Sequence, residues 1–189
     1  MKTLRMFAVF AVVAMSLFAV AAEAQEIAVY FGSEMSSTKQ VKSFEPFDVM
    51  IVVDGIDDTI NAVEYKLNLP DDIIVMGSQY WNGTTLVIGG ANAVDGTAVA
   101  LGECVNLAEA LGEQTSIVVA TLEAMAVNTF SQAAVTISEF TGTPSNPATA
   151  PRYNNCVNNQ VYLTPVNGTL QGVTVPTEQS SFSRVKSLF

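Results

Sequence analysis

The chain has 189 residues, of which 49% are apolar and 14% charged, with 18 acidic against 8 basic side chains and a net charge of −10. It contains no histidine, which excludes Ser-His-Asp and Cys-His nucleophilic arrangements and any histidine-based metal centre. The acidic balance repels nucleic acid and anionic lipid surfaces; it is compatible with neutral glycans, divalent cations or a basic protein partner, and equally with plain solubility.

Lys2 and Arg5 precede an almost purely apolar run over 6–22, and Ala22-Glu23-Ala24 forms the small-x-small box read by signal peptidase. The pattern predicts a secretory signal helix over 1–24, cut between Ala24 and Gln25. The alternative is an uncleaved anchor, since the run is near the ~17–20 apolar residues of a spanning helix; the cleavage box argues against it. Removing the signal takes away two basic residues and one acidic residue, leaving six against seventeen, a net of −11 over 25–189. Those remaining residues suit one domain, and no later segment is long or apolar enough to insert in a membrane. Export also sets the redox conditions. Cys104 and Cys156 are the only cysteines, and in an oxidising compartment they are expected to form a disulfide. Without histidine the two cannot make a typical zinc site.

Strand signals dominate the rest. Residues 26–31 (EIAVYF) are β-branched and aromatic, and 46–54 (PFDVMIVVD) form a near-continuous apolar run of the kind found in a sandwich core. Residues 60–69 alternate: Ile60, Ala62, Glu64, Lys66 and Asn68 fall on one face, and Val63, Tyr65, Leu67 and Leu69 on the other. That period of two predicts a half-buried strand. Pro70-Asp71-Asp72 ends it as a turn before a strand over 73–76. Further strands are predicted at 84–88, 97–101, 116–124, 133–139, 160–164 and 169–175. Asn82-Gly83, Gly89-Gly90, Asp95-Gly96 and Asn167-Gly168 supply turns between them. Residues 104–111 (CVNLAEAL) favour a helical turn, and 141–153, with three prolines, read as a long loop. Nine or ten short strands imply an all-β, jelly-roll-like sandwich over 25–175. A C-terminal tail over 176–189 follows. In it Phe182, Val185, Leu188 and Phe189 fall at helical spacing, either a fraying end or a short docking helix.

Candidate chemistry is sparse. A glycosidase needs two carboxylates flanking the sugar bond, and Asp57/Asp58, Asp71/Asp72, Glu64 and Glu123 are available. Both Asp pairs sit beside Gly or Pro, where aspartate is favoured as a turn residue. Asp54, Asp57 and Asp58 crowd one loop and offer the hard oxygen ligands of a calcium site. The EF-hand order is absent, and a solvated loop fits the same residues. Otherwise no cofactor is expected. Trp81, the single tryptophan, adjoins Tyr80 and Asn82 in a turn over 78–83; these three are candidates for contact with a glycan, or for packing against the sandwich edge.

Three stretches carry a family likeness. Residues 47–54 lead into a loop over 55–59, 60–75 (INAVEYKLNLPDDIIV) join an alternating strand to a turn and a Val-rich strand, and 116–139 end in VTISE, followed by Phe140. Together they resemble the cohesin domain of the carbohydrate-binding-module-like β-sandwich superfamily. The resemblance implies a nine-stranded jelly roll and a non-enzymatic, secreted role in protein–protein attachment at or outside the cell envelope. It implies binding across one exposed sheet face, and alternation selects the polar face with Glu64, Lys66 and Asn68. The alternative is a carbohydrate-binding module that recognises a polysaccharide through Tyr80, Trp81 and Asn82.

Overall fold

The computed structural model describes residues 25–56, 59–90, 93–106, 116–142, 149–157 and 159–173. The expected signal over 1–24 and the tail over 176–189 lie outside these residues, as do Asp57, Asp58 and residues 107–111 of the expected helical turn.

Thirteen strands, and no helix, occur among the described residues. They are β1 (Glu26–Phe31), β2 (Thr38–Val41), β3 (Pro46–Asp54), β4 (Thr59–Asn68) and β5 (Ile73–Tyr80). Next come β6 (Thr84–Ile88), β7 (Thr97–Asn106), β8 (Ile117–Ala126) and β9 (Gln132–Ser138). Short strands β10 (Arg152–Asn154), β11 (Gln160–Tyr162), β12 (Thr164–Val166) and β13 (Gly168–Gly172) complete the set. One sheet runs β12-β1-β3-β8-β5. The other runs β11-β10-β4-β9-β13-β2, with β7 also paired to β4 and β6 outermost on β7. The all-β sandwich is therefore as the sequence implies, with more strands than the nine or ten expected.

Alternation builds the core between the sheets. Ile27, Val29 and Phe31 of β1 meet Phe47, Val49, Ile51 and Val53 of β3 across the layer from Val63, Tyr65 and Leu67 of β4. The rings of Phe31 and Phe47 pack edge to face at 6.5 Å, the arrangement favoured by ring quadrupoles. Bulges reset the phase at four places. On β8 the register jumps from Ala120 to Val118, so Val119 is the extra residue and both Val119 and Ala120 are buried.

Three expectations are corrected. Ile60 does not share the polar face of β4: a register shift between Ile60 and Ala62 turns it into the core, where it is fully buried. Cys104, Val105 and Asn106 belong to β7 rather than to a helical turn; pairing of Val105 with Ile60 and Asn106 with Thr59 overrides the local propensity. The segment read as a loop to Tyr153 ends in β10, whose Tyr153 pairs with Val63 and is buried.

Tyr65 gives the fold a pH limit. Burial, and secondarily the charge of a nearby Tyr80, pushes its phenol far above the ordinary value of 10.0. The folded state thus holds a proton that the unfolded chain releases, so this stability is fully present below about pH 10 and declines as pH rises beyond it. In urea titrations, Tyr65→Phe is expected to flatten the alkaline decline; an unchanged slope would show that another group sets it.

Candidate binding face and groove

Directly opposed residues of antiparallel strands point to the same side of a sheet. One such row on the outside of the second sheet reads Ile88, Ala98, Glu64, Arg152, Tyr162. The next reads Leu86, Ala100, Ala62, Asn154, Gln160. Farther along β4, Lys66 stands opposite Ser138 and Asn68 opposite Thr136. The three residues selected by alternation do share this outer face, but in different states. Glu64 Oε2 accepts a hydrogen bond from Arg152 Nε at 2.6 Å. Arg152 also donates from its guanidinium to Gln160 Oε1 at 2.9 Å. The pair is largely withdrawn from water, at 2% exposure for Arg152 and 14% for Glu64. Asn68 donates to the hydroxyls of Thr136 and Ser138. Lys66 makes no salt bridge among the described residues.

The face also carries apolar side chains that alternation alone did not select. Leu86 and Ile88 on the outermost strand β6 are 54% and 55% exposed, and Ala98, Ala100 and Ala62 continue the patch inward. One extra residue on β6, Thr85, sets their orientation. The sequence signal was the pair Leu86/Ile88 at a spacing of two, without means of telling outward from inward.

Of the other chemistry candidates, Asp54 and Asp72 are engaged in local structure. Asp54 Oδ1 accepts from the Gly55 N–H at 2.8 Å and from Ser116 Oγ at 2.6 Å, which holds the end of β3 against the start of β8. No group of three or more potential metal-ligating side chains lies together among the described residues. Asp72 Oδ1 accepts from Asn128 Nδ2 at 2.7 Å, and the Ile73 N–H closes the turn on the Pro70 carbonyl at 2.9 Å. Cys104 and Cys156 are disulfide-bonded with Cα atoms 5.6 Å apart.

A groove of about 610 Å³ lies beside that disulfide, lined by Trp81, Gly83, Thr85 and residues 102–106. Its origin is irregular pairing. Between two successive points of register β4 advances from Ile60 to Ala62 while β7 runs from Val105 back to Ala100. The surplus of β7 loops outward, leaving Gly102, Glu103 and Cys104 exposed. Trp81 is the first residue after β5, not part of a free turn over 78–83, because β5 extends to Tyr80. There the chain crosses from the first sheet to the second. The Trp81 N–H donates to the Val119 carbonyl at 3.1 Å, and the Thr84 N–H returns to the Trp81 carbonyl at 2.9 Å. The indole packs closely over Gly83: a Cβ at that position would lie 2.0 Å from the ring, so a side chain there would have to displace it. Tyr80 and Trp81 both pack against the core's edge, and only Trp81 of the Tyr80, Trp81 and Asn82 trio lines the groove.

Comparison with solved structures decides the fold class. A cohesin module from a Clostridium perfringens family 33 glycoside hydrolase superposes with a TM-score of 0.56, covering 79% of this chain and 96% of that one at 9% identity. The fold is that of a cohesin module. The third ScaB cohesin of R. flavefaciens, solved in complex with a group 1 dockerin, gives 0.52 at 14% identity, covering 80% and 98%. A type II cohesin domain from the cellulosome of Acetivibrio cellulolyticus gives 0.51 at 11% identity, covering 78% and 95%. No protein-family model matches the sequence, and no curated protein matches it. The cohesin-like likeness thus resides in architecture rather than in sequence.

Proposed function

We propose that this chain is an exported, non-enzymatic attachment domain, released by cleavage after Ala24, that binds a protein partner at or outside the cell envelope. The binding surface is the outer face of the second sheet. The observation that carries the reading is the composition of that face on a cohesin-like scaffold. Exposed Leu86 and Ile88 on the edge strand, extended inward by three alanines, form an apolar patch, and Lys66, Asn68 and the Glu64–Arg152 pair border its inner side. Apolar patches bordered by polar side chains are the anatomy of protein interfaces. The dockerin bound to the R. flavefaciens cohesin suggests a folded protein module as the class of partner.

The test is affinity capture with oxidised 25–189 from the native host's secreted and envelope proteins, with and without chelator. It is run in parallel with Leu86→Asp/Ile88→Asp. Both positions are exposed, so the variant is expected to keep its circular dichroism spectrum while losing at least about tenfold in affinity for the captured protein, a loss of apolar contact worth about 1.4 kcal/mol or more. Undiminished capture by the variant would remove this face from the proposal.

A further inference from the structure

We infer that the groove beside the disulfide is a binding subsite for an uncharged pyranose unit of a glycan chain, adjoining the protein-binding face at Thr85. Its volume of about 610 Å³ lies inside the range of roughly 300–1,000 Å³ found for small-molecule sites. Its lining combines an indole with a carboxylate and a hydroxyl: Trp81, Glu103 and Thr85. A pyranose presents the complementary chemistry. Its C–H face is apolar and packs on an aromatic ring, while its hydroxyls donate to a carboxylate and exchange hydrogen bonds with a threonine. Thr85 Oγ1 donates to the Ala100 carbonyl at 3.4 Å, which leaves its lone pairs able to accept.

The groove is held in shape before any ligand arrives. Trp81 is fixed by its backbone bond to Val119, the bulged residue of β8. The opposite wall is tied to it through the Gly102 N–H, which donates to the Gly83 carbonyl at 3.0 Å, and is itself anchored to the β10–β11 turn by the Cys104–Cys156 bridge. Two bulges, on β6 and on β7, converge on the same hollow. Bulges concentrate where a sheet re-aims side chains toward a site. Charge selects the ligand: Glu103 in the lining and a chain net of −10 disfavour uronate or sulfated polymers.

Trp81 is the chain's one tryptophan, so its fluorescence reports on this groove alone. Oxidised 25–189 would be titrated with cellohexaose, xylohexaose and mannohexaose, with polygalacturonate as the charged control. A saturable change in emission with at least one neutral chain is expected, with none from polygalacturonate. Glu103→Ala, at an exposed position, is expected to weaken that binding about tenfold with its unfolding midpoint unchanged. No emission change up to about 10 mM of every neutral chain, a range that would register even millimolar affinity, would overturn the inference. So would an equal response to polygalacturonate, or wild-type affinity in Glu103→Ala. Partner capture through Leu86 and Ile88 is read separately, so either result can fail without the other.

Discussion

Replacing Arg152 with alanine is expected to destabilise the domain by about 3–5 kcal/mol, the range for removing one member of a buried ion pair. The guanidinium is 2% exposed, bonds Glu64 on β4 and Gln160 on β11, and itself sits on β10. It therefore joins three strands. Its loss leaves the Glu64 carboxylate 14% exposed without its cation, and the cost comes from that stranded charge more than from the contact itself. Arg152→Met/Glu64→Met should recover most of the loss, because an apolar pair carries no desolvation penalty. Urea denaturation of the two single variants and the double variant as a cycle checks this. An Arg152→Ala loss below about 1 kcal/mol would place the pair among surface salt bridges and contradict its burial.

Removing the disulfide should have a comparable effect. Cys104 and Cys156 are 52 residues apart in sequence, and closing a loop of that length is worth about 4 kcal/mol in the chain-entropy treatment. The bridge pins the β10–β11 turn to β7. In that turn Asn155 Oδ1 accepts from the Val157 and Asn159 N–H groups at 3.2 and 2.9 Å. Cys104→Ala/Cys156→Ala is expected to lower the urea midpoint accordingly, and reduction of the wild-type protein to reproduce it. A midpoint that does not move would show that Arg152 and the turn hold the hairpin unaided.

The parts legible from sequence were those whose signal is local and periodic. The face of Val63, Tyr65 and Leu67 followed from alternation alone, as did the long strand beginning at Pro46. What escaped depends on contacts distant in the chain. Arg152–Asn154 is too short to show a period and follows a proline-rich stretch, yet it pairs on both sides, with β4 and β11. Ile60 fell on the wrong face because a bulge is a mismatch between two strands, invisible in either one. The groove escaped for the same reason. Trp81 was conspicuous, but Glu103 and Thr85 reach it only through irregularities in strands β7 and β6. On the binding face, Glu64, Lys66 and Asn68 were found by period, whereas the arginine that holds Glu64 lies 88 residues away in sequence.

Among the described residues, two parallel strand pairings join the beginning of the domain to its end: β1 lies against β12, with Glu26 opposite Thr164, and β2 against β13, with Thr38 opposite Thr169. Such distant closures make folding slow, because the entropy of bringing remote segments together is spent before their contacts form. A chain emerging N-terminus first therefore presents β1 with one edge unfilled, and β2 without its strand partner, until its last strands are available. Completion waits for the whole length. Under the export proposed above, that delay would keep the sandwich open until the far side of the membrane is reached.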